Sequence, residues 1–139
     1  MKTVRFTVPG QPRGKGRPRF TRSGHAYTDN KTKEYESRIA WCYLEQVGDY
    51  TFLDDSPLRV SVTAIMQIPK STTKKKQAAM LNGEIAPKTK PDVDNILKIV
   101  LDGLQGVAFK DDKNVTESQI IKIYGSQPKI EVSIQEALL

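Results

Sequence analysis

Alternation of apolar and polar residues, broken by glycine and proline, divides this chain into its elements. Val4, Phe6 and Val8 alternate with Thr3, Arg5 and Thr7, so residues 2–8 predict a half-buried strand that Pro9-Gly10 stops. Over residues 32–47, Tyr35, Ile39, Cys42, Tyr43 and Val47 recur at helical spacing, and Gly48 closes the helix. Cys42 lies on the apolar stripe as a small buried hydrophobe rather than a reactive thiol, and Trp41 and the tyrosines are expected to pack as well. Residues 58–68 alternate through Leu58, Val60, Val62, Ala64 and Met66 to Pro69, a second strand. Residues 70–83 suit a short helix capped at Ser71 or Thr72 and ended by Gly83.

Pro91 disfavours α conformation at Lys90, so a further helix begins just after it, with Asp92 near the N-cap and Asn95 three residues on. Val93, Ile96, Leu97, Val100, Leu101 and Leu104 form its apolar stripe, and Gly106 supplies the C-terminal turn. A third strand runs over residues 114–124. A fourth, over 129–134, alternates Ile130, Val132 and Ile134 and is expected to pair with the third through the turn at 125–128. The reading is an α/β (α+β) fold in the order β-α-β-α-β-β: one small domain, with a mixed four-stranded sheet and about two main helices. At 139 residues the chain has room for one core and not for two.

Composition narrows the class. An apolar fraction of 37% with 27% charged residues reads as soluble, and no apolar run approaches membrane-spanning length. The N-terminal residues lack the apolar core of a signal peptide, and a single cysteine excludes a disulfide framework, so a cytoplasmic setting is expected. The net charge of +6 matters less than its segregation. Seven Lys or Arg precede Asp29 with no acid among them, and residues 56–91 hold seven more against Glu84 alone. Such clustering is the electrostatic footprint of a nucleic-acid partner, although net charge alone fits a solvated surface equally well.

Residues 11–24 form a basic loop: its glycines and prolines deny it a helix and its five basic side chains deny it a core. Lys15, Arg17 and Arg19 are candidate phosphate contacts there, with Phe20 or Tyr27 offering a stacking face. Lys74, Lys75, Lys76 and Lys90 are further candidates. His25, the only histidine, carries no argument.

The chemistry concentrates in residues 90–106 and just beyond, where Asp92, Asp94, Asp102, Asp111 and Asp112 make up five of the sixteen acids. Two readings stand side by side. In the structural one, Asp92 caps the helix, Asp94 favours its N-terminus, and Asp94, Lys98 and Asp102 form i,i+4 ion pairs contributing roughly 0.2–0.5 kcal/mol each. In the catalytic one, Asp92, Asp94 and Asp112 are hard-oxygen ligands for magnesium or manganese. The short loop between helix and third strand would then bring Asp112 back beside Asp92 and Asp94. Three carboxylates so placed would repel one another without a cation. A site of this kind polarises a phosphate oxygen, lowers the pKa of a bound water and stabilises the leaving oxygen, with Lys98 stabilising transition-state charge.

The string Lys90-Pro-Asp-Val-Asp-Asn-Ile-Leu-Lys-Ile-Val-Leu-Asp-Gly-Leu104, followed by Gly106 and Asp111-Asp112-Lys-Asn-Val115, closely resembles the signature of the RusA family of Holliday junction resolvases. Gly16-Arg-Pro-Arg-Phe-Thr21, with Tyr27-Thr28 soon after, resembles the N-terminal segment of that family's phage and prophage branch. The resemblance implies a single RusA-like nuclease domain over residues 1–139. It also implies a homodimer, Mg²⁺-dependent cleavage of four-way DNA junctions by paired nicks, and residence in a bacterial cell. Carried onto matching positions, the metal-binding acids are Asp92, Asp94 and Asp112, Lys98 is the catalytic lysine, and Asp111 is a secondary acid. Two other readings remain open at this point: a catalytically silent DNA-binding module, and a metal-dependent nuclease acting on flaps or other branched DNA.

Overall fold

The computed structural model describes residues 2–137. The elements are β1 (Thr3–Pro9), β2 (Arg19–Phe20), β3 (Ala26–Tyr27), α1 (Asn30–Gln46), β4 (Leu58–Gln67), α2 (Lys74–Leu81), α3 (Val93–Leu104), a 3-10 turn over Asp112–Asn114, β5 (Val115–Gly125) and β6 (Lys129–Glu136). The mixed α+β domain expected from the alternation is present. The basic loop contributes two short strands that the pattern does not announce, because neither buries a side chain.

The main sheet runs β1-β6-β4-β5. β4 is central because it buries Leu58, Val60, Val62, Ala64 and Met66 on one face along its whole length. β6, burying Ile130, Val132 and Ile134 on the same side, pairs antiparallel with both β4 and β1. β5 pairs parallel with β4 alone, an arrangement that requires the long crossover carrying α2 and α3. The expected pairing of the third and fourth strands through residues 125–128 is therefore corrected: β4 lies between them. The physical reason lies in their faces. β5 has no fully buried residue and settles at an edge, whereas β6 has an apolar face that must sit over the core.

α1 and α3 cover the apolar face of the sheet. Asp29 caps α1 by accepting from the backbone N–H of Thr32 at 2.7 Å, and Gly48, at φ +99°, follows its C-terminus. Tyr35, Ile39, Cys42 and Tyr43 are buried as expected, but Trp41 is 63% exposed and does not pack. α2 is capped by Thr73 rather than by Ser71 or Thr72, and none of its residues is buried. On α3 the buried set is Ile96, Ile99, Val100, Gly103 and Leu104, with Leu97 and Leu101 partly buried against the core and Val93 exposed. The stripe is thus rotated toward Ile99 because α1 packs on that side.

The two helices touch closely at Gly103. A Cβ there would lie 3.0 Å from the Glu36 carbonyl oxygen and 3.0 Å from the Ile39 Cβ. Gly103→Ala would gain up to about 1 kcal/mol of helix propensity. Overpacking against the α1 backbone costs about 1–3 kcal/mol. A net loss of stability is expected in thermal or urea unfolding, and a raised melting temperature would show that α1 moves aside freely.

Candidate active site

The sequence motif around Asp92 is held in place from two directions. From below, the ammonium of Lys122 on β5 donates to the carbonyls of Thr89 at 2.7 Å and Pro91 at 2.9 Å, fixing the chain just before α3; the Lys90–Pro91 peptide is cis. From the side, the basic loop lies directly on the first turn of α3. The Lys15 N–H donates to the Asn95 carbonyl at 2.8 Å, and a Cβ on Gly14 would stand 2.8 Å from the Pro91 Cβ and 2.9 Å from the Asn95 Cβ. Only glycine permits that approach.

Between loop and helix lies a cleft of about 340 Å³ lined by Gly14, Lys15, Arg17, Lys90, Pro91, Asp92 and Asn95. Asp92 occupies the N-cap position of α3, and its backbone carbonyl accepts from Ile96 at 3.1 Å, but its side chain makes no cap hydrogen bond. The structural reading of Asp92 as a capping carboxylate is thereby corrected. Its oxygens have no hydrogen-bond partner among the described residues and lie at a helix N-terminus that favours negative charge. Asp94, exposed in the first turn of the same helix, forms no ion pair among the described residues.

Lys15 behaves differently from the expected phosphate contact. Its ammonium lies 3.0 Å from a Glu36 carboxylate oxygen on α1 and 3.0 Å from an Asp102 oxygen on α3, and its side chain is 23% exposed. Desolvation by burial pulls its pKa down, but hydrogen bonds to Asp102 and Glu36 and their charges outweigh this, so the net shift is upward. It is a tether that fixes the loop to both helices. Asp102 also pairs with Lys98 at 3.4 Å, so one carboxylate joins the loop tether to the candidate catalytic lysine. Sequence spacing gave no sign of Glu36, and its one clue to the tether was the glycines flanking Lys15, which mark a close backbone approach.

The remaining basic candidates stay accessible. Arg17 faces the cleft, Arg19 lies 3.8 Å from Asp29 with most of its side chain exposed, and Lys90 lines the cleft rim. Lys74, Lys75 and Lys76 are exposed on α2, which packs beside β5. The loop after α2 and residues 122–124 of β5 line a shared groove, so α2 stands at the same end of β5 as Asp92. Tyr35, buried in α1, is pushed up to about 12 in pKa by burial and takes no acid–base part near neutral pH.

Asp111 and Asp112 lie elsewhere. Asp111 caps the 3-10 turn, accepting from the Lys113 N–H at 3.0 Å, and that hydrogen bond holds its pKa below the usual carboxylate value. Asp112 begins the turn and precedes β5. α3 starts near Lys122, toward the end of β5, whereas Asp112 sits ahead of Val115 at its beginning. At roughly 3.3 Å per residue, the strand between Val115 and Lys122 is about 23 Å long. Among the described residues no three His, Cys, Asp or Glu side chains gather within reach of one metal ion. The expectation that the helix-to-strand loop returns Asp112 to Asp92 and Asp94 is corrected: helix and strand run in opposite directions, so the loop leaves Asp112 at the far end. The oxygen donors suit magnesium in kind, but one chain brings only Asp92 and Asp94 to the same helix end.

The chain matches the family model described as Endodeoxyribonuclease RusA over residues 9–135. This chain belongs to the RusA endodeoxyribonuclease family. It is 36% identical over 141 residues to the Bacillus subtilis (strain 168) protein named Uncharacterized protein YqaN, and the match covers 98% of each chain. Among the described residues no helix is long and apolar enough to cross a membrane.

Replacing Lys15 by Met leaves Glu36 and Asp102 facing each other without their cation. A loss of roughly 1 kcal/mol is expected at neutral pH, modest because solvent still reaches the pair. A raised folded-state pKa means that Lys15 contributes fully below its ordinary value of 10.5, and that the contribution fades as pH rises through the folded-state value. The stability gap between wild type and Lys15→Met should therefore be flat from pH 6 to 9 and close above about pH 10.5. A gap that stays constant to pH 12 would show that packing, not charge, is what Lys15 supplies.

Proposed function

We propose that this protein is a Mg²⁺-dependent, structure-specific endodeoxyribonuclease that acts as a homodimer and resolves four-way DNA junctions by paired symmetric nicks in recombination and repair. The observation that carries the reading is membership of the RusA family over nearly the whole chain, and it is supported by a cleft in which Asp92, at a helix N-terminus, lies beside Arg17 and Lys90. Asp92 and Asp94 would hold the cation, with Mn²⁺ as its substitute. A hard divalent ion held there would supply Lewis-acid polarisation of a phosphate oxygen and a lowered pKa for bound water. Lys98, oriented by Asp102, offsets negative charge building on the phosphate in the transition state. Arg17, Lys90 and the lysines of α2 bind the flanking backbone.

The dimer has a specific task in this scheme. β5 is an edge strand whose Ile121 and Ile123 are each 43% exposed, an apolar surface suited to a second copy. A two-fold axis perpendicular to β5 would set two such strands antiparallel, so that the beginning of one lies at the end of the other. Asp112 of the partner subunit would then stand at the end where this chain holds Asp92 and Asp94. Two identical sites related by the axis match the two cuts that a four-way junction needs.

Asp92→Asn and Asp112→Asn, each alone, should abolish cleavage of a synthetic four-way junction while leaving binding largely intact. Co-expressed, the two variants should regain nicking, because a mixed dimer holds one site built from two unaltered halves. Random pairing predicts about a quarter of wild-type activity. Mixed dimers as inactive as either parent would place the complete site within one chain. A second reading keeps the metal chemistry and changes the substrate to flaps or simple branches. Comparing rates on a mobile junction, a flap and linear duplex decides between them, and no Mg²⁺-dependent nicking of any of the three would leave a DNA-binding module.

A further inference from the structure

β2 and β3 form a small ribbon that projects from the basic loop, and its register sets its chemistry. Arg19 pairs with Tyr27, and Phe20 pairs with Ala26. Cross-strand partners share a face and successive residues alternate, so Tyr27 and Arg19 lie on one side of the ribbon and Phe20 and Ala26 on the other. Phe20 is 68% exposed and Tyr27 47%. Each face therefore carries one aromatic ring in solvent, and neither ring belongs to the core.

The ribbon is ordered by its own turn and by its base. Thr21 N–H donates to the His25 carbonyl at 2.9 Å, Gly24 N–H to the Thr21 carbonyl at 2.9 Å, and the His25 N–H to the Thr21 hydroxyl at 3.1 Å. Gly24 takes the positive φ of +87° that the turn needs. At the base, Gly16 approaches Thr32 and Asp29 so closely that a Cβ would meet the Thr32 hydroxyl at 2.8 Å. With Lys15 tied to Glu36 and Asp102, the ribbon is mounted at a set position beside the Asp92 cleft. Arg17, Arg19 and Arg22 lie within three residues of Phe20 along the chain, and residues 1–28 contain no acid.

We propose that this ribbon is a wedge for interrupted DNA stacks: Phe20 and Tyr27 each stack on a base at a branch point while Arg17, Arg19 and Arg22 hold the adjoining phosphates. One aromatic face would suit docking on a flat partner. Rings on opposite faces of a two-stranded ribbon suit insertion between two base layers, where each ring meets a base. Continuous duplex offers such faces only by breaking its stacking, whereas a branch point presents them at lower cost, so the wedge would select branched over linear DNA. The inference deepens the nuclease reading by naming how the branch is read, and it does not depend on the cleavage step.

The test uses the full-length protein in Ca²⁺, with a four-way junction carrying 2-aminopurine at the branch point and a duplex carrying it internally. Wild-type binding should raise the junction signal and leave the duplex signal unchanged. The Phe20→Ala/Tyr27→Ala double variant should lose that rise and bind the junction about ten-fold or more weaker. Its duplex affinity should hold, and Phe20→Trp should preserve the signal. A double variant that still raises the signal overturns the proposal. So does one whose junction and duplex affinities fall together, or one that loses dimerisation with its ribbon. Unfolding curves matching wild type confirm that the fold is intact; if they differ, Phe20→Ser and Tyr27→Ser singly, checked the same way, carry the comparison. A wild-type protein that opens the junction but never cuts it in Mg²⁺ would overturn the nuclease reading and leave the wedge standing.

Discussion

Lys15 stands between two carboxylates on different helices, and the placement of the site follows from that one contact. Glu36 on α1 and Asp102 on α3 meet its ammonium at 3.0 Å each, beside the point where Gly103 lets the helices close on one another. Remove the cation and two partly buried acids lose their shared partner; add a Cβ at Gly103 and it meets the α1 backbone at 3.0 Å. The same contact fixes the basic loop. Gly14 and Gly16 bring its backbone onto α3 and α1, so a segment with no core of its own gains a defined position relative to Asp92. Core packing, loop order and site geometry thus share one small cluster.

The helix–sheet arrangement separates the acidic motif into two ends. α3 returns antiparallel to β5, so the Asp92 end of the helix lies beside Arg17 and Lys90, while the Asp111–Asp112 end begins the strand some 20 Å away by the rise of an extended chain. Asp111 is occupied in capping the turn, which leaves Asp112 as the freer acid of the pair.

The two edges of the sheet differ in the same sense. On β1, the Gln46 side chain accepts from the Thr7 N–H at 2.8 Å and donates to the Thr7 carbonyl at 2.7 Å, satisfying the backbone groups of Thr7 at that edge. β5 presents exposed Ile121 and Ile123 at the opposite edge, with α2 packed beside it. One edge is bridged by a side chain at Thr7, and the other exposes two isoleucines.

Much of the fold was legible in the residue pattern because strand and helix periods are local properties. Val4-Phe6-Val8, the β4 alternation and the Ile130-Val132-Ile134 run each marked a strand and its buried face, and the motif around Asp92 identified the family. What alternation could not tell was strand order, since the apolar face of β6 fits beside either β4 or β5. The exposure of Trp41 and the burial of Ile99 likewise depend on where α1 crosses α3. At the site, the residue types and the helix N-terminus were readable in advance. The commitment of Lys15 to Glu36 and Asp102, the uncapped Asp92 and the distance to Asp112 were decided by tertiary packing alone. They involve residues far apart in the chain, whose meeting depends on helix direction and a glycine-sized gap rather than on any local period.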